Sequence, residues 1–393
     1  MSKMIFEIHG GQFKNKGAMK MLVTCIKQLE QRIPNVTFVV DGCVGNDQQL
    51  DSLNLKKLLF KRGWMGSKRF GLGFLIQRIL AVLASLFPFL FKNAYTLNKI
   101  DGVIDVAGFA YTDQWGYKPS EDFAKLASYY HRKGKKVVML PQAFGTFTQP
   151  KIINAIEKII NNTNLIYARD SSSFKHLTEI SNNTDVLKRA PDITLFVKAN
   201  SNENQIVSNT VAIIPNMRML DQGSEFWKEN YIPYLNMTID TCIDNNLDPI
   251  FVIHDQAGED IKVAQKALLE RTDDIQVLQI DDPWELKSKL STMQFVVGSR
   301  FHGLVAALSN NVPVISIGWS HKYAELLSDF GLSEFLISEQ HGKKELSSLI
   351  NVLTNESENK LKRDIVKVNF EKQRDTNKRM WNEVVEVLQG NCR

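Results

Sequence analysis

Three short segments concentrate residues whose types and spacing could do chemistry. GSRFHG (298–303) follows the apolar run Phe295–Val297 and precedes LVAAL, so Arg300 and His302 fall between a strand end and a helix start near Gly303. A helix N-terminus supplies backbone N–H donors suited to an anion. Arg offers a planar fork to phosphate or carboxylate, and His moves protons near neutral pH. Ser299 and Gly303 are the small residues expected beside the same anion. The bland alternative is an Arg–His pair that merely caps a helix. PNMRM (215–219) places Arg218 just after the first expected strand of the second half, with a surface salt bridge as its alternative. In GWSHKY (318–323), Ser320 and Lys322 precede a helix expected near Tyr323.

The first half is less sharp. Its opening loop, HGGQFKNKGA (9–18), carries His9, Asn15 and Gly17 but is neither GxGxxG nor a P-loop, so dinucleotide binding is not expected. Backbone approach to a sugar or phosphate and a plain tight turn both remain open. Asp113 and Gln114 in AGFAYTDQWG and Gln142 in PQAFG are polar groups able to bind hydroxyls. Asp170 or Ser171 reads as a helix N-cap, and Asp192 as the fixing residue of a turn. The seven histidines show no HxxxH or HExxH spacing and there is no GxSxG elbow, so neither a metal nor a hydrolase serine is expected.

Short β-branched runs alternating with helical stretches must position these loops. Strands are expected at 4–10, 36–40, 102–108, 136–144 and 165–170, then at 211–215, 249–255, 275–280, 295–299 and 312–318. Helices are expected between them, for example over 17–32, 120–133 and 224–244, with one or two more over 359–388. This is the βαβ pattern of parallel sheets. A polar stretch at 198–208 divides it, giving an α/β chain of two Rossmann-like domains facing across a cleft. The domains are expected over 1–200, the presumed acceptor side, and 208–370, the presumed donor side, with a C-terminal helix over 371–393 returning to the first. Ligands of such sheets sit at the carboxyl ends of strands, where all three segments fall.

The 393 residues are 44% hydrophobic and 23% charged, which excludes wholesale disorder and a small disulfide scaffold. The net charge is only +5, yet 52–100 holds nine Lys and Arg and no Asp or Glu. Within it, 70–91 is strongly apolar, but its uninterrupted run Ile79–Phe91 is shorter than the roughly 20 residues of a spanning helix. A surface-seeking segment flanked by cations fits anionic headgroups; a core hairpin with a solvated basic flank is the equal alternative. Four scattered cysteines without a CxxC and no signal-peptide pattern suggest a reduced cytoplasmic protein, peripheral at the inner face of a membrane. No nucleic-acid module is visible.

Together the segments FKNKGAMKML, DVAGF, LPQAFG, YARDSSSFKHL, APDITL, PNMRM and SRFHGLVAALSNNVPVISIGWSHKY resemble the polysaccharide pyruvyl transferase family, from the first loop to about residue 335. The resemblance implies a GT-B-like fold and transfer of pyruvyl from phosphoenolpyruvate to a sugar of a bacterial surface polysaccharide, such as an exopolysaccharide or capsule, or its precursor. It implies donor-side roles for Arg218, Arg300, His302 and Lys322; the chemistry of such a transfer suits His302 as the general acid or as the base for the attacking hydroxyl. It requires no cofactor beyond phosphoenolpyruvate as co-substrate, and its acceptor is a sugar, in some systems polyprenyl-linked. Two positions depart: Ala18 stands where many members have Asp, and Phe109 where many have the second Gly of a pair. Both lie on the presumed acceptor side. The competing readings are a GT-B glycosyltransferase using a nucleotide sugar, and a non-catalytic membrane-associated assembly protein.

Replacing the nine cations of 52–100 by Gln is expected to abolish co-flotation with anionic liposomes; flotation equal to the parent would overturn the surface-seeking reading.

Overall fold

The computed structural model describes residues 3–13, 15–41, 44–58, 83, 95–181, 183–196, 209–255, 258–318 and 321–390, without the side chains of Lys16, Pro283 and His321. Most of the basic segment, all of the polar stretch 198–208, and Ser320 therefore lie outside the described residues.

The first half forms β1 (Met4–His9), α1 (Lys16–Glu30), β2 (Val36–Val40), α2 (Asp47–Ser52), β3 (Lys56–Lys57), β4 (Gly102–Asp105), α3 (Tyr117–Arg132), β5 (Lys136–Gln142), α4 (Pro150–Asn161), β6 (Leu165–Ala168), α5 (Ser171–Ile180) and β7 (Leu187–Arg189). The second forms β8 (Thr210–Ile214), α6 (Arg218–Asp221), α7 (Glu225–Asp244), β9 (Asp248–Ile253), α8 (Glu259–Leu268), β10 (Val277–Gln279), α9 (Pro283–Ser291), β11 (Phe295–Gly298), α10 (Phe301–Leu308), β12 (Val314–Ile317), α11 (His321–Asp329), β13 (Leu336–Ile337), α12 (Lys343–Thr354) and α13 (Glu356–Gln389).

The strands make two wholly parallel sheets, in the orders β3-β2-β1-β4-β5-β6-β7 and β10-β9-β8-β11-β12-β13. Parallel sheets are covered on both faces, so their strands are continuous apolar runs rather than alternating ones. Every residue of β4, β6, β11 and β12 is buried accordingly. Helices cover the sheets through stripes at helical spacing, such as Met21, Leu22, Cys25, Ile26 and Leu29 on α1. The strand order reverses between β1 and β4 in one sheet and between β8 and β11 in the other. Such reversal points are where parallel sheets open a crevice for ligands.

The chain divides into two compact units. The first takes Met1–Phe13, Ala18–Ile193 and Thr376–Arg393; the second takes Lys14–Gly17 and Thr194–Asp375. The C-terminal segment is one long helix, α13, and its two ends belong to different units. Near its start, Asn359 Nδ2 donates to the Gln294 carbonyl at 3.1 Å and Arg363 Nη2 donates to the Met293 and Gln294 carbonyls at 2.6 and 2.9 Å. Burial lowers the Arg363 pKa to about 10. Near its end, Met380, Trp381, Val384 and Leu388 enter the core of the first unit. Glu383 there accepts from Tyr167 Oη at 2.5 Å and from Lys188 Nζ. Burial, reinforced by Glu383, holds the Tyr167 hydroxyl above the usual phenol range, so it stays a donor. Among the described residues no helix is long and apolar enough to cross a membrane.

Trp381 is 1% exposed, so Trp381→Ala is expected to cost about 3–5 kcal/mol of stability, read by urea unfolding of the whole chain.

Candidate functional site

The second unit's reversal point collects the cations singled out above. β8 ends at Ile214, and Asn216 leads into α6, whose first residue is Arg218. β11 ends at Gly298, Ser299 follows, and Arg300 is the N-cap residue of α10. Hydrogen bonds knit the two loops. Asn216 Nδ2 donates to the Ser299 carbonyl at 2.7 Å, and Tyr323 Oη donates to the same carbonyl at 2.5 Å. Tyr231 Oη donates to Ser299 Oγ at 2.9 Å and accepts the Asn216 backbone N–H at 3.1 Å. Burial keeps the Tyr231 phenol well above its usual range, so it holds its proton.

Arg300 sits in this frame as half of a buried ion pair. Its Nε and Nη2 donate to Asp260 Oδ2 and Oδ1 at 2.7 and 2.5 Å. Asp260, on the first turn of α8, is 0% exposed and also accepts the Met217 backbone N–H at 2.9 Å. Burial opposes the charge on Arg300, but the hydrogen bonds and charge of Asp260 outweigh it and raise the guanidinium above its usual range. Arg300 Nη1 makes no hydrogen bond among the described residues, and the side chain is 20% exposed. Its remaining donors are thus charged, fixed and accessible. Arg218 pairs with Asp221 and has Nη2 3.7 Å from Glu259, the neighbour of Asp260. Lys322, on α11, lies with Nζ 5.2 Å from the centroid of the Tyr323 ring. His302 follows Arg300 by two residues on α10, its ring 5.6 Å from that of Phe301. Gly17, which groups with the second unit, lies so close that a Cβ there would sit 2.3 Å from His302 Nδ1.

Two expected donor contacts are corrected. Ser299 is 1% exposed with its hydroxyl and carbonyl engaged as above, so it braces the loops instead of meeting an anion. Gly303 is buried against β8, where a Cβ would lie 2.9 Å from Ile214 Cδ1, and its N–H donates to the Arg300 carbonyl at 2.9 Å. That glycine serves close helix–strand packing.

In the first half of the chain the expected hydroxyl-binding residues separate into two kinds. Asn15 accepts the Gly17 N–H at 2.9 Å and so caps α1. Asp113 accepts the Thr148 N–H at 2.7 Å and the Thr146 hydroxyl at 3.3 Å, fastening the loop after β5. Gln114 is exposed in the same turn, its backbone N–H donating to Thr112 Oγ1 at 3.0 Å. His9 and Gln142, by contrast, converge on Asp105 at the sheet's carboxyl edge. Asp192 lies in a buried pair with Arg169 at 3.2 Å, and Asp170 accepts the Ser173 N–H at 2.7 Å as the N-cap of α5.

A sequence profile described as polysaccharide pyruvyl transferase matches residues 15–321, which carry every residue expected on the donor side except Lys322, one position beyond. The chain belongs to the polysaccharide pyruvyl transferase family. No curated protein sequence matches it. Its fold is similar to that of Anabaena HepE, solved in complex with UDP, at a TM-score of 0.60 and 11% identity over 99% of this chain and 100% of that one. UDP-GlcNAc 2-epimerase from Methanocaldococcus jannaschii gives 0.57 and 14% over 93% and 99%. MurG from Acinetobacter baumannii gives 0.51 and 13% over 99% and 100%. The chain's two parallel-sheet α/β units thus have a GT-B-like fold.

Sequence reasoning missed Asp260, Tyr231 and Tyr323, which hold the site together. Asp260 carried a faint signal, as the second acidic residue opening α8 in a segment that otherwise reads as a solvated helix start. Arg300→Ala is expected to cost about 3–5 kcal/mol, because it strands a buried carboxylate. Adding Asp260→Asn removes that charge, keeps an acceptor for Met217, and should recover much of the loss in chemical denaturation.

Proposed function

We propose that this pyruvyl transferase moves the pyruvyl group of phosphoenolpyruvate onto two hydroxyls of one sugar, forming a ketal and releasing phosphate. The observation that carries the reading is Arg300, fixed and charged at the sheet reversal with Nη1 left over, at the strand edge that also bears Arg218, His302 and Lys322. Phosphoenolpyruvate presents a phosphate and a carboxylate, and three cations at one edge suit both.

The chemistry needs positioning and proton transfer. A proton goes to the methylene C3, and the C2=C3 electrons form the new C–H bond. C2 becomes electrophilic and takes a sugar hydroxyl, forming one C–O bond. A second hydroxyl closes the ketal as the C2–O bond to phosphate breaks, and its proton leaves with the phosphate. His302, beside Arg300 on α10, has the chemistry to deliver or accept one of these protons. The acceptor is a sugar of a surface polysaccharide or of its precursor. A polyprenyl-linked precursor would give the cationic, apolar segment 52–100 a purpose at an anionic membrane surface.

Thermal unfolding tests the donor, since a ligand of the native state raises stability by about 2.7 kcal/mol at a hundred times its Kd. Phosphoenolpyruvate is expected to stabilise the wild type beyond inorganic phosphate, and Lys322→Ala to lose that increment. Stabilisation only by UDP or UDP-GlcNAc would move the reading to a nucleotide-sugar glycosyltransferase. No increment over phosphate would overturn it.

A further inference from the structure

The crossover helices α3 and α4 follow the neighbouring strands β4 and β5 and pack side by side on one face of the first sheet. Their inner stripes, Phe123, Ala127 and Tyr130 on α3 and Ile152, Ile156 and Ile159 on α4, are buried in one cluster. Between their outer faces lies a groove of about 980 Å³ that belongs entirely to the first unit. Ala124 and Ala155, 4% and 5% exposed, line it. Side chains this small leave the valley between two packed helices unfilled, where longer ones would close it.

The charge of this groove is one-sided. Lys125 and Arg132 of α3 line it together with Lys151 and Lys158 of α4, against one carboxylate, Glu121. On each helix the two cations are seven residues apart, which puts them on one face and about 10.5 Å apart along the axis. Glu121 is spent on Lys118 and Lys125, at 4.0 and 3.1 Å. Arg132 Nε donates to the Ser128 carbonyl at 3.1 Å, and Lys151 Nζ lies 5.1 Å from the centroid of the Tyr117 ring. Among the described residues Arg132, Lys151 and Lys158 pair with no carboxylate. Neutral groups stand beside them: Tyr117 is 42% exposed, and the exposed Asn154 amide makes no side-chain hydrogen bond among the described residues.

We propose that the groove between α3 and α4 is a docking site for a carboxylate-bearing saccharide chain. Two facing rows of cations suit an occupant whose anionic groups recur along its length. The neutral groups suit sugar, since an aromatic ring covers a C–H face and an amide bonds hydroxyls. A concave valley lets a chain meet residues of both helices at once, whereas a flat bilayer surface would meet only the cations at the rims. Membership of a polysaccharide-directed family agrees with that class of occupant. Docking here uses only residues of the first unit and no step of pyruvyl transfer, so it goes beyond that reading and stands without it. The contacts are exposed, so added salt screens them and weakens the binding.

The test measures binding of the full chain to immobilised polygalacturonate, a carboxylated saccharide, and to dextran, a neutral one, at about 0.15 M salt without phosphoenolpyruvate. Wild type is expected to bind polygalacturonate and not dextran. The combined variant Arg132→Gln, Lys151→Gln and Lys158→Gln is expected to bind it about 10–100-fold more weakly, and Tyr117→Ala about 2–10-fold more weakly. All four residues are exposed, so an unchanged melting temperature is expected to accompany these losses. A control variant, Lys344→Gln, Lys360→Gln and Lys367→Gln, makes the same change of charge at exposed sites on α12 and α13 and should stay within about twofold of wild type. Absence of wild-type binding overturns the proposal, as does an equal loss in the two triple variants, which would leave only net charge. Equal competition by polyphosphate, with Tyr117→Ala binding like wild type, overturns the saccharide in favour of any polyanion. If the groove variant keeps polygalacturonate but no longer floats with anionic liposomes, the groove meets a membrane and the proposal fails.

Discussion

The pairing of Arg300 with Asp260 is the constraint around which the second unit's functional edge is organised. An anion site needs a cation that stays charged while partly removed from water, and burial works against it. Asp260 resolves the conflict by engaging Nε and Nη2 side-on. That choice fixes the plane of the guanidinium and commits the rest of its donors to one direction. It also fixes the neighbourhood, because Asp260 takes the Met217 N–H and so ties the loop bearing Arg218 to the same carboxylate. The fork is therefore spent mostly on the protein. Its value to a ligand lies in a pre-set orientation that costs little reorganisation when the ligand binds.

The layer below Arg300 follows the same logic with neutral groups. Tyr231, Tyr323 and Asn216 all converge on Ser299, a residue too small to resist displacement alone. Buried polar networks of this sort are stable only when their members are satisfied. Here they turn a strand end, ordinarily the most variable part of an α/β unit, into a rigid platform. The long helix α13 does a comparable job at larger scale. Its polar anchors, Asn359 and Arg363, serve one unit, and its apolar anchor, Trp381, serves the other.

Much of the scaffold was legible in the sequence because both sheets are parallel. Buried strands read as unbroken β-branched runs, so VTFVV, PIFVI and FVVG were recognisable, and the strand-end rule then picked out Arg218, Arg300 and His302. The short edge strands β3 and β7 were not legible; a stretch such as Lys56–Lys57 pairs only because β2 offers a free edge. Side-chain partnerships were the larger loss. Nothing local marks Asp260 as the mate of a residue 40 positions away, and nothing distinguishes Ser299 as a brace from Ser299 as a ligand contact. Asp113 shows the same limit, since a carboxylate in a polar loop looks alike whether it meets a sugar or fastens backbone N–H groups.

The two reversal points spend a buried carboxylate in different ways. In the second unit Asp260 holds both Nε and Nη2 of Arg300, so the guanidinium keeps its charge although it is partly removed from water. In the first unit Asp105 faces His9 Nδ1 at 2.6 Å through one oxygen and accepts the neutral amide of Gln142 through the other. No cation of arginine or lysine enters that hydrogen-bonded chain among the described residues. The same residue type therefore fixes a permanent cation at one strand edge and the orientation of an imidazole at the other, and each carboxylate is buried because both of its oxygens are engaged.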